Sequence, residues 1–445
     1  MNLFDSTLIS LGRALLIASL ATGIALYLRR GLAAQRSRLL WLAAVTFLIP
    51  GMLAGYSFSS LVRSWITSPW RAEAAYMSFI LLRLLPLALI AITLAPAPLS
   101  REAIHCFRLL PGKSRWQRLL WRMKAGDTGL FLTVALVFLF AFQEFDIATS
   151  WGVCSWTVSL FDAHVGGLDL SHSLRLASFP LAVEIGALGV LLWLLQNVRM
   201  DTQESSPAAG GNAAAGIVIG VCFVVTTLLP LVALLRLAWP GFHALQESFS
   251  LSREIANSLA LAVVVTLIVF SIAAGLRSRL ARAALAILGL LGSFLIALLI
   301  LAAIQLPWIR TLSSTPLPLI AGLCFQLLPL AIGLLVIVRS GTLREALHAA
   351  RLGGSRALLW RLQSAPLFAI GLLLFGTAYG DFVMNAVLAP PQFTGAFNRI
   401  FNLMHYGQSV VLSAMVTVTL LAPLAVASLV FCLLRFTFKN DVRPH

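Results

Sequence analysis

Charged side chains are scarce in this chain. Only 11% of its 445 residues are Asp, Glu, Lys or Arg, where a soluble domain carries roughly a quarter. With 60% hydrophobic residues beside them, that scarcity argues against a soluble enzyme and for an integral membrane protein. Acidic residues are scarcer still, 16 against 32 basic ones, for a formal net charge of +16. Such a surplus can signal nucleic acid. Here the basic residues gather in short loops between apolar runs, which is the pattern of membrane topology, and no nucleic-acid partner is expected. Cysteine is sparse and dispersed (Cys106, Cys154, Cys222, Cys324, Cys432) with no CxxC pair. Neither a disulfide framework nor a metal cluster is supported. His164, His172, His243 and His405 are spread over outer loops without ligand spacing. No metal or cofactor is expected. No basic n-region precedes the first apolar run, which reads as a retained helix.

What is present is a series of apolar runs. A helix needs about 20 apolar residues to cross the hydrocarbon core. Eleven runs qualify: 7–28, 39–61, 76–97, 128–146, 174–197, 214–237, 256–276, 283–304, 317–338, 366–387 and 409–434. They are continuous and do not alternate, so a closed barrel is excluded. If the spans alternate from an outside N-terminus, 23 Lys and Arg fall in cytoplasmic segments and 7 outside. That bias fixes the expected orientation, with the C-terminus in the cytoplasm. Arg13 and Arg83 lie within spans. Residues 198–213 are polar, small and contain Gly and Pro, so they read as a flexible cytoplasmic linker.

One stretch occurs twice. Arg101-Glu102-Ala103-Ile104-His105 leads through Gly112 to Leu119-Leu120-Trp121-Arg122. Arg344-Glu345-Ala346-Leu347-His348 leads through Gly353-Gly354 to Leu358-Leu359-Trp360-Arg361. The match continues at an offset of 237, from Leu130-Phe131 to Leu367-Phe368, Glu144 to Asp381 and Phe145 to Phe382. Leu160-Phe161-Asp162 then resembles Ile400-Phe401-Asn402. The expected fold is therefore all-α, with about eleven transmembrane helices in two parallel repeats. Residues 1–197 form a first repeat of five spans, 198–213 the linker, and 214–445 a second repeat of six. Each repeat carries one amphipathic basic loop, 100–126 or 339–364. Such a helix can lie on anionic lipid or dock in a groove of a soluble partner. Duplication favours docking, because headgroups do not demand one sequence twice.

These loops resemble the EAA loop of binding-protein-dependent ABC importer permeases. The second copy lays His348-Ala349-Ala350-Arg351-Leu352-Gly353 on that pattern, with Ala365-Pro366 closing it. The first, His105-Cys106-Phe107-Arg108-Leu109 to Gly112, is looser, with one extra residue before the glycine. In both copies a histidine stands where the pattern has glutamate. Phe142 to Gly152, Gly380 to Gln392 and Asn402 to Ala414 are similar to the fused permeases of the iron(III)/thiamine subgroup. The resemblance implies a multi-pass subunit of an inner (plasma) membrane. Two separate ATPase subunits would couple to it through Glu102, Ala103, His105, Gly112, Glu345, Ala346, His348, Gly353 and Gly354. An extracytoplasmic solute-binding protein would deliver the substrate, with iron(III) the leading expectation and thiamine or another small solute behind it. The chain itself would not hydrolyse ATP. Gly112-Lys113-Ser114 mimics the end of a phosphate loop, but Phe107 occupies the first glycine position.

Carboxylates in or beside spans are functional candidates, because burying them is costly. Glu144, Glu184 and Asp381 are therefore expected along the translocation pathway, with the repeat placing Glu144 and Asp381 across the axis from one another. Asp146 reads as an interfacial residue. The competing expectation is a proton-coupled secondary transporter using Glu184 or Asp381.

Overall fold

The structure, a computed structural model, describes residues 2–28, 46, 50–62, 68–94, 128–167, 169–196, 213–248, 251–276, 278–351, 356–404 and 410–440. Glu102, Ala103, His105 and Gly112, the linker residues 198–212, and Gly353 and Gly354 lie outside the described residues. Everything regular among the described residues is helical. Six helices among the described residues are long and apolar enough to cross a membrane.

The chain divides into two compact units, Met1–Leu231 and Val232–His445. In the first, α1 (Leu3–Leu28), α2 (Gly51–Val62), α3 (Pro69–Leu94), α4 (Thr128–Phe142), α5 (Asp146–Trp151), α6 (Trp156–Val165) and α7 (Leu170–Gln196) follow in order. Next come α8 (Ala213–Phe223), a π turn at Val224–Leu228 and α9 (Leu229–Ala238). This is the sixth apolar run. The boundary between the units falls inside it rather than at the linker, because α8 and the π turn pack on α3.

The second unit continues with α10 (Gly241–Ser248), α11 (Leu251–Gly275), α12 (Arg279–Leu288), α13 (Ser293–Ile304), α14 (Leu317–Arg351), α15 (Arg356–Gly380), α16 (Val383–Leu388), α17 (Ala396–Met404) and α18 (Val410–Asn440). Its internal packing follows the order seen in the first unit. As α1 packs on α3, α4 and α6, so α11 packs on α14, α15 and α17; as α2 packs on α5, so α13 packs on α16.

Three runs depart from a straight span. The eighth, 283–304, is two helices, with α12 and α13 bent by 101° at the joint. At that joint Gly289 lies so close to α14 that a Cβ would sit 1.9 Å from the Phe325 carbonyl oxygen and 2.6 Å from Pro329. Pro329 has no N–H to give the Phe325 carbonyl four residues back, and this carbonyl is the atom that a Gly289 Cβ would meet. The fourth and tenth runs end early, at Phe142 and Gly380. Each is followed by a short break and a six-residue helix.

Candidate functional site: two acid-capped helix breaks

The two breaks hold Glu144 and Asp381. A helix leaves its first N–H groups without intrahelical partners, and its N-terminus carries partial positive charge. Glu144 sits two residues before α5 and answers both needs. Its Oε1 accepts from the Ile147 N–H at 2.6 Å and its Oε2 from the Ala148 N–H at 3.2 Å. The Tyr76 hydroxyl of α3 donates to the same Oε2 at 2.8 Å. Asp381 sits two residues before α16, where its Oδ1 accepts from the Met384 N–H at 2.8 Å. Gln326 of α14 donates through Nε2 to the other oxygen at 2.9 Å. Both acids thus end one helix, start the next and are gripped by the helix before.

More of this construction recurs. The Ser10 hydroxyl of α1 accepts from the Trp156 N–H at the start of α6 at 3.2 Å. The Ser258 hydroxyl of α11 accepts from the Ala396 N–H at the start of α17 at 3.0 Å. The rings of Phe145 and Phe161 lie 5.0 Å apart, and those of Phe382 and Phe401 4.1 Å apart. The sequence carried an unread signal for one gripping residue, Gln326. Arg83-Leu84-Leu85-Pro86-Leu87-Ala88 matches Gln326-Leu327-Leu328-Pro329-Leu330-Ala331 at an offset of 243, the offset of the two basic loops. Arg83 thus corresponds to Gln326. It lies within electrostatic reach of Asp146 and Glu144.

The first unit holds more charge than the second. Arg13, almost fully buried on α1, forms an ion pair with Glu73 and donates to the Cys154 carbonyl at 2.6 Å. Its guanidinium also lies 5.5 Å from the Tyr76 ring centre, in cation–π range. Asp146 accepts a hydrogen bond from the Met52 N–H at the start of α2. Gly51 and Gly55 on one face of α2 let α5 come close: a Cβ would meet Asp146 Oδ2 at 2.6 Å and Ser150 Oγ at 2.8 Å. Small residues four apart serve this purpose in membrane helices. Trp151 closes the contact by donating to the Gly55 carbonyl at 3.0 Å.

Glu184 is fully buried in α7, and none of the hydrogen bonds above brings it to Glu144. Glu345, Ala346 and His348 fall on the final turns of α14. His164 shares a hydrogen bond with Ser173 through Nδ1 at 3.0 Å, and burial holds its imidazole below the ordinary range. No group of three His, Cys, Asp or Glu side chains able to hold a metal occurs among the described residues. No protein-family model matches the chain, and searches of curated proteins and of solved structures return no match.

Proposed function

We propose that this chain is the membrane-spanning subunit of an ATP-driven importer, built of two parallel repeats with eleven spans in all. Two ATPase subunits would drive it from the cytoplasm, and an extracytoplasmic binding protein would deliver a small solute, iron(III) first among the candidates. The observation that carries the reading is the recurrence of hydrogen-bonded caps at matched positions in both units: an acid caps the helix after each break and a serine caps the helix beyond it. Two copies of one mobile unit are what alternating access between repeats requires.

A second support is the length of α14. Its 35 residues extend about 52 Å at 1.5 Å per residue, against a hydrocarbon core of about 30 Å. The excess carries Arg344 to His348 beyond membrane depth as helix, where a soluble partner can reach it. Trp70, Trp239 and Trp308 suit membrane surfaces, whichever side they face. All three adjoin predicted outer loops and are 68%, 79% and 77% exposed, as interfacial anchors are.

In this reading Glu144 and Asp381 position the helix breaks rather than bind cargo, since their carboxylate oxygens accept helix N–H groups. The test is uptake of iron(III) into proteoliposomes holding the chain, its ATPase and its binding protein. Uptake should require ATP and be lost in Gly354→Trp, with the protein still folded. Uptake indifferent to ATP, driven by a proton gradient and lost in Glu184→Gln, would establish the secondary transporter instead.

A further inference from the structure

Three amide side chains of the second unit are spent at one end only. Gln326 donates through Nε2 to Asp381 Oδ2 at 2.9 Å. Asn385 donates through Nδ2 to the Asp381 carbonyl at 2.6 Å. Asn398 donates through Nδ2 to the Asn385 carbonyl at 3.1 Å. Each NH2 group faces an oxygen acceptor, so turning any of these amides over would set oxygen against oxygen. The orientation of all three is therefore fixed. Their carbonyl oxygens, Gln326 Oε1, Asn385 Oδ1 and Asn398 Oδ1, are buried, and no donor among the described residues reaches them. Asn385 as a whole is only 5% exposed. Its Oδ1 lies against Gly395, where a Cβ would come within 3.3 Å of it. A buried acceptor without a donor carries an uncompensated desolvation cost. Three on one hydrogen-bonded chain form an unusual concentration, since buried polar groups are nearly always paired.

The first unit has none of these amides. At the corresponding positions Arg83 stands for Gln326, Ala148 for Asn385 and Val158 for Asn398, while Glu144 stands for Asp381. There a guanidinium is built into the chain within electrostatic reach of the acids. Where the second unit gives up the arginine, it gains neutral oxygens that can only accept. Amide and carboxylate oxygens are the ligands of hard cations. A single carboxylate among them matches one positive charge.

We propose that the Gln326–Asp381–Asn385–Asn398 chain binds a small monovalent cation, an alkali ion or ammonium, which takes in the second unit the place that the Arg83 guanidinium holds in the first. The inference uses the correspondence between the units and is independent of what the protein carries. Its readout is ion binding, not uptake.

The experiment is thermal unfolding of the purified full-length chain in detergent, in KCl, NaCl or NH4Cl against choline chloride at equal ionic strength. Wild type should melt higher with at least one of the small cations than with choline, and the gain should saturate. Asn385→Ala and Asn398→Val, which install the first unit's residues, should each raise the half-saturating concentration at least tenfold. Gln326→Arg should stay folded and lose the ion response, because it supplies the charge covalently. Comparison among the three salts identifies the ion. Equal melting of wild type in all four salts would mean that bridging water alone serves these oxygens, and would overturn the proposal. An ion response unchanged in Asn398→Val and Gln326→Arg would overturn it too, by placing the ion elsewhere.

Discussion

At the scale of the residue, Glu144 and Asp381 each cap the helix that follows a break. Glu144 accepts two helix N–H groups and one phenol hydroxyl. An amide there keeps one acceptor oxygen but turns a donor toward one of the N–H groups. Glu144→Gln should therefore cost about 1–2 kcal/mol, the range of a lost N-terminal cap, while Tyr76→Phe should cost about 1 kcal/mol for a single hydrogen bond. Chemical denaturation in detergent measures both. The rank order Glu144→Gln worse than Tyr76→Phe is expected, and the reverse order would contradict the capping role. Sequence made these acids visible, since Glu144 and Asp381 stood at one offset with Phe145 and Phe382. Their task was hidden. An intramembrane carboxylate looks the same in sequence whether or not it meets a helix N-terminus, and only the breaks after Phe142 and Gly380 reveal the caps. Arg83 and Gln326 were missed for another reason. One is charged and one neutral, so the match lies in the Leu-Leu-Pro-Leu-Ala that follows them, not in the functional residue itself.

At the scale of the element, apolar runs located most helices, and their ends were misjudged wherever the chain bends without losing hydrophobicity. Run 283–304 is uniformly apolar, so composition gave no hint of the 101° bend after Leu288. The signal was Gly289, which only contact with α14 explains. Substitution of glycines should separate close approach from mere composition. Gly289→Ala places a methyl 1.9 Å from the Phe325 carbonyl and must part α12 from α14. It should cost more than about 3 kcal/mol, at the upper end of overpacking. Gly12→Ala on α1 meets nothing within 4 Å and should be neutral or slightly stabilising, as alanine is the better helix former. Expression level and thermal melting of the two variants in detergent check this. Similar melting for both would refute the close packing of α12 on α14. Gly51→Leu and Gly55→Leu should be destabilising as well, because α5 leaves no room on that face of α2.

At the scale of the whole molecule, the proposal rests on two docking loops facing the cytoplasm. Their duplication was legible in sequence because REA-x-H and LLWR are polar islands in an apolar chain. The proposed orientation rests on the basic residues, 23 in the expected cytoplasmic segments against 7 in the outer ones. A single cysteine at position 113 should resist an impermeant thiol reagent in intact cells and react once the membrane is opened, whereas a cysteine at position 308 should react from outside. The most direct test of the central claim is cross-linking to the ATPase. Cysteines would be introduced singly at Ala103 and Ala346, in a chain whose five native cysteines are replaced, and the complex treated with a short thiol cross-linker. The account predicts that each position joins the chain to an ATPase subunit, that the two together capture two subunits, and that added nucleotide alters the yield. An ATPase that co-purifies but is joined from neither position would contradict it.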